Sequence, residues 1–156
     1  MDNKQQDSGL ACFLIVMKFY GISITREQAE NLMVLDKDQK TGEIEIIQSA
    51  RQLKMKAKLT RLNLIKLKDI RTPIIAKDKN GDFFIVAKSK DDDFMVLFAN
   101  EPGPKLKTRQ ELRDIWDGTS VIISQKGIVD KEAIFSFKWF IPTILKFKKE
   151  FIQVLI

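Results

Sequence analysis

Leu10, Phe13, Leu14, Met17 and Tyr20 recur at helical spacing and Gly21 ends the run, which predicts a buried central helix through residues 13–20. Asp7 or Ser8 can cap it. Thr25, Arg26, Glu27 and Gln28 fit a capping box that opens a second helix through Leu32 or Met33, and residues 36–40 form a charged connection. Ile44, Ile47, Ala50 and Leu53 give a third amphipathic helix. Beyond Lys54 the period changes: Met55, Ala57 and Leu59 alternate with Lys54, Lys56 and Lys58, the pattern of a strand with one face buried and a lysine face in solvent.

Residues 63–70 form a short helical or looped link. The Asn80-Gly81 turn signal then joins a strand at 74–76 to one at 83–87, and a turn at 90–93 leads to a third at 94–98. These loop lengths make the three strands adjacent and antiparallel. Pro102-Gly103-Pro104 interrupts the pattern, a capping box at Thr108 to Glu111 starts a helix through Trp116, and residues 119–124 supply a final strand. Helices first and an antiparallel sheet afterwards is the α+β order.

A length of 156 residues with 44% hydrophobic content suits one domain plus a tail. The expected boundaries are a domain over 1–130 and, over 131–156, a linker with an amphipathic interfacial helix. In that tail Ile141, Ile144, Leu145, Ile152 and Leu155 form an apolar stripe against Lys146, Lys149 and Gln153. Trp139, Phe140, Lys146 and Lys149 are the membrane-interface candidates, and the chain is expected to be cut from a longer membrane protein before its first full span.

Lysine and arginine outnumber acids 27 to 21, and residues 51–79 hold ten basic and two acidic side chains, a local net of +8. That concentration favours an anionic partner. It reads either as a solvated strand protected from edge pairing or as a docking face for an acidic segment. Nucleic acid is not the expected partner, because these residues lack interleaved exposed aromatics or a recognised module.

The chain holds one cysteine and no histidine, which excludes an intramolecular disulfide, His-containing zinc sites and every Cys-His or Ser-His nucleophile pair within it. No metal site or cofactor is expected in the domain. Cys12 suits a small core residue better than a reactive thiol. The opening residues carry no apolar signal core, which places the domain in the cytosol.

The stretch Asp7-Ser8-Gly9-Leu10-Ala11-Cys12 resembles the Asp-Cys-Gly-x-Ala-Cys motif that opens the papain-like peptidase domains of bacterial peptide exporters, with Ser8 at the place of the nucleophilic Cys. Phe-Lys-Trp-Phe-Ile-Pro at 137–142, followed by the basic amphipathic run, is similar to the join between the N-terminal domain and first membrane helix of RTX-toxin exporters, the ABC transporters of type I secretion. The likeness runs from about Asp7 to the end. It implies a papain-like fold and three degenerate catalytic positions. The nucleophile falls at Ser8, the His at Asp82 or Phe83, and the orienting Asp at Phe98 in an ungapped reading, or at Asn100 or Glu101 in a shifted one. The Gln of the oxyanion hole has only Gln5 and Gln6 nearby, at the wrong spacing.

What the resemblance implies for function is a non-catalytic domain that docks an unfolded RTX-type polypeptide before export, with Lys54, Lys56, Lys58, Phe83 and Phe84 as the expected contacts. The parent would be a homodimeric ATPase at the cytoplasmic face of the bacterial inner membrane. Its further partners would be its own membrane and nucleotide-binding domains and a membrane fusion protein. The alternative is an active leader-processing peptidase of a bacteriocin exporter, with Ser8 or Cys12 as nucleophile and an acid such as Asp82 as partner. A carboxylate is a poor general base for a hydroxyl at neutral pH, which weighs against it.

Overall fold

In the computed structural model of the chain, the described residues are 7–33, 39–70 and 73–125. The expected interfacial tail, with Trp139, Phe140, Lys146 and Lys149, and the residues Gln5 and Gln6 lie outside them. Among the described residues no helix is long and apolar enough to cross a membrane.

Among the described residues three helices come first, α1 (Ser8–Phe19), α2 (Arg26–Met33) and α3 (Glu43–Gln52). Six strands and two short helices follow: β1 (Met55–Arg61), α4 (Leu64–Asp69), β2 (Ile74–Asp78), β3 (Phe83–Lys90), β4 (Asp93–Phe98), β5 (Pro104–Thr108), α5 (Arg109–Ile115) and β6 (Trp116–Gln125). All six strands form one sheet in the order β1-β6-β2-β3-β4-β5, and every neighbouring pair is antiparallel. The expected adjacency of the strands at 74–76, 83–87 and 94–98 is present as β2-β3-β4.

The pleat sends alternate residues to opposite faces of the sheet, and both faces are covered. On one side Ala57, Val121, Ile75, Phe83, Ile85 and Met95 pack with Leu10, Phe13 and Met17 of α1 and with Ile46 and Ala50 of α3. On the other, Ile74, Ala76, Phe84, Val86, Phe94 and Val96 pack with Leu64 and Leu67 of α4 and Leu112 of α5. This second buried face explains the continuous apolar runs Phe83 to Ala87 and Phe94 to Leu97, which show no alternation.

Local chemistry sets the ends of the elements. Gly21, at φ +76°, takes the left-handed conformation that stops α1, and Tyr20 donates its hydroxyl proton to the Ile123 carbonyl at 2.7 Å, pinning that helix to the last strand. The reciprocal Thr25–Gln28 and Thr108–Glu111 hydrogen bonds open α2 and α5 as expected. At the hairpin, Gly81 has φ +91° and the Asp78 carboxylate accepts from the amides of Asn80 and Asp82.

Four expectations need correction. Helix α3 buries Ile46, Ser49 and Ala50, whereas Ile44, two positions before Ile46 and so on the far side of the helix, is 63% exposed. Leu59 is 51% exposed, since the helical cover ends beyond Ala57 on this edge strand. Lys54 is not on the strand: with φ +64° it forms the turn between α3 and β1, leaving Lys56 and Lys58 as the exposed lysines of β1. Finally, the interruption at Pro102-Gly103-Pro104 leads into β5, where Pro104 begins an edge strand and needs no donor on its free side.

Candidate functional site

Helix α1 is capped by Asp7, whose Oδ1 accepts from the Leu10 amide at 3.1 Å. Its other oxygen, Oδ2, accepts from the Thr41 amide at 3.0 Å and from the Thr41 hydroxyl at 2.8 Å. One carboxylate therefore starts α1 and fastens it to the segment leading into α3. Thr41, only 3% exposed, gave no local signal in the sequence, because its partner lies 34 residues away.

With Asp7 as the cap, Ser8 is the first residue of α1 and not the cap. Its Oγ accepts from the backbone N–H of Phe83, the first residue of β3, at 2.9 Å. The fold thus brings together the two positions at which the sequence expected a nucleophile and its base. Of the alternatives for the second position, Phe83 meets Ser8, whereas the Asp82 main chain closes the hairpin turn by accepting from the Asp78 amide at 2.8 Å.

The Phe83 ring lies beside Gly9, the residue after Ser8. It is 5% exposed, and its Cδ2 would lie 3.2 Å from a Cβ placed on Gly9. Lys77 covers it, with Nζ 5.8 Å from the ring centroid, and the same ammonium is bonded to Glu43 at the start of α3. That hydrogen bond holds the Glu43 carboxyl below its ordinary range, against the opposing effect of partial burial. At one of the two positions the resemblance gives to a His, the chain therefore has an aromatic hydrocarbon under an ion pair.

The other candidate groups have different surroundings. Cys12 is 1% exposed in the core, and burial, followed by the charge of Asp7, pushes its thiol far above the ordinary value. Phe98 belongs to the opposite face of the sheet, where its ring stacks on Phe84 at 5.5 Å, so it does not face Ser8. Asn100 is exposed in the turn after β4.

The expected polypeptide contacts are divided by the sheet. Phe84 is fully buried beneath α4 and α5 and Phe83 is nearly so on the α1 side, which removes both as exposed aromatic contacts, because each face of the sheet carries its own helical cover. Lys56 and Lys58 are exposed on β1, on the face turned away from α1, because their neighbours Met55 and Ala57 point into the core shared with that helix. The lysine face and the Ser8 region are therefore separate surfaces.

The fold and motif have known counterparts. A model of the Peptidase C39 family matches residues 1–127. The exotoxin translocation ATP-binding protein PaxB of Pasteurella aerogenes is 25% identical over 159 residues, covering 98% of this chain and 22% of that protein. The chain thus spans about a fifth of the length of the curated relatives it matches. The N-terminal peptidase C39-like domain of the toxin secretion ATP-binding protein from Vibrio parahaemolyticus superposes with a TM-score of 0.69 at 21% identity, covering 78% of this chain and 99% of that domain. A double glycine motif protease from an AMS/PCAT transporter, solved with its leader peptide, gives 0.68 at 21% identity, covering 81% of this chain and 89% of that one. The likeness shows that the chain shares the α+β fold of these two domains. With the family match running from before Asp7 to just past the last strand, and the motif from Asp7 to Cys12 inside it, the chain belongs to the Peptidase C39 family.

Proposed function

We propose that this domain is a non-catalytic docking module of a type I secretion ABC transporter, which binds an unfolded RTX-type polypeptide before export. The observation that carries the proposal is the Ser8–Phe83 contact. The hydroxyl at the nucleophile position is held by a backbone amide, a donor that cannot take its proton, and the neighbouring side chain is phenyl. No histidine exists anywhere in the chain to serve from another position.

The exposed Lys56 and Lys58 on an edge strand, within a segment of net charge +8, are the surface to which we assign the acidic polypeptide. Charge of one sign speeds encounter with an oppositely charged chain and weakens with salt. In this reading residues 131–156 lead towards the membrane, and the remaining partners are the transporter's membrane and nucleotide-binding domains and a membrane fusion protein.

The reading is tested by incubating the chain with a double-glycine leader peptide and following the products by mass spectrometry. No cleavage is expected, and Ser8→Cys alone should not create it, because the thiolate would still lack an imidazolium partner. Cleavage by the unaltered chain that disappears in Ser8→Ala would establish the peptidase reading instead.

A further inference from the structure

On the sheet face away from α1, a pocket of about 320 Å³ opens between α4, α5 and the start of β6. Leu62, Leu64, Ile65 and Trp116 supply apolar walls, and Arg109 and Arg113 line the same pocket. Its volume lies at the lower end for small-ligand sites and suits one large side chain. Ile65 is 65% exposed at its edge, an unusual position for a large aliphatic residue beside two arginines.

The charges here are poorly compensated. Arg109 Nε is occluded from solvent and has no hydrogen-bond partner, and Arg109 Nη1 reaches Asp92 only at 3.9 Å, while that carboxylate is held at 2.6 Å by Lys68. Arg113 is exposed. The one acidic residue lining the pocket, Asp117, spends its Oδ1 on the Thr119 amide at 2.7 Å, and Arg61 adds a further positive charge by donating to the Asp117 carbonyl at 3.0 Å. Two arginines with little compensating acid, beside an apolar floor, select a ligand that combines carboxylates with one large apolar group.

We infer that this pocket takes a single aromatic or large aliphatic side chain of an extended acidic polypeptide, with flanking carboxylates held by Arg109 and Arg113. The identity of that polypeptide as cargo rests on the docking reading; the pocket and its chemistry do not. It would anchor one point of a chain whose acidic stretches also meet Lys56 and Lys58.

The test is fluorescence anisotropy of the whole chain with a labelled peptide, Asp-Asp-Phe-Asp-Asp-Gly. Arg109→Gln with Arg113→Glu should weaken binding about tenfold, and Phe-to-Ser in the peptide should do the same. Ile65→Asp, a change at an exposed position that should leave the circular dichroism spectrum intact, should also weaken binding. Unchanged affinity in the arginine variant, in Ile65→Asp or with the Ser peptide would overturn the assignment. If the hexapeptide bound through the pocket but a calcium-free RTX-type polypeptide did not bind at all, the docking reading would fail and the pocket would stand.

Discussion

Replacing Asp7 with Ala tests how the first residue of the opening motif fastens α1 into the fold. Loss of the helix cap costs about 1 kcal/mol. Removing the carboxylate also takes the acceptor from the Thr41 amide and leaves the Thr41 hydroxyl, in a residue only 3% exposed, with the weak Met33 sulfur acceptor at 3.5 Å; a buried donor left unpaired costs about 1–3 kcal/mol. These losses share one group and do not simply add, so the expected total is about 3 kcal/mol, a large part of the 5–15 kcal/mol typical of a domain. Urea unfolding followed by circular dichroism should show the midpoint falling by roughly 1–2 M, from ordinary slopes for a small domain. Asp7→Ser, which can still cap, should recover about 1 kcal/mol, and Thr41→Val should lose much of its own cost when Asp7 is already Ala. A loss below about 0.5 kcal/mol in Asp7→Ala would refute the view that this residue was kept as a structural fastener.

Gly9→Ala should destabilise the domain by about 1–2 kcal/mol despite the better helix propensity of Ala, because the new Cβ would stand 2.7 Å from the Thr41 carbonyl oxygen; an unchanged urea midpoint would contradict this. Lys77 lowers the folded-state pKa of Glu43 from its ordinary 4.5, so the pair's contribution is fully present above that value and is lost as pH falls through the lowered one. Both side chains are partly exposed, which limits the contribution to about 1 kcal/mol. Lys77→Met should therefore reduce stability near neutral pH and flatten its decline in acid, and parallel pH profiles for the two proteins would remove the pair from the account.

Helix ends and the central hairpin were legible because their chemistry is local: a capping box or an Asn-Gly turn acts within a few residues. The facing of side chains was less legible where both sides of an element are apolar. Phe83 and Phe84 read as a surface pair only if one face of the sheet is open, and the cover on the second face comes from α4 and α5, short helices far apart in sequence. Ile44 fits a helical stripe but lies opposite the face that α3 buries, and Leu59 continues the strand alternation past Ala57, the last buried position of β1. The Ser8–Phe83 meeting was reached through the motif, since a contact across 75 residues leaves no periodic trace. The Asp7–Thr41 contact and the pocket around Arg109, Arg113 and Trp116 carry no motif at all and emerge only when three or more elements assemble.

Calorimetric titration of the chain with an RTX-type polypeptide, once calcium-free and unfolded and once calcium-loaded and folded, tests the docking claim most directly. The account predicts weak binding to the calcium-free form alone, reduced by salt and by Lys56→Glu with Lys58→Glu. Equal affinity for the folded and unfolded forms would contradict it.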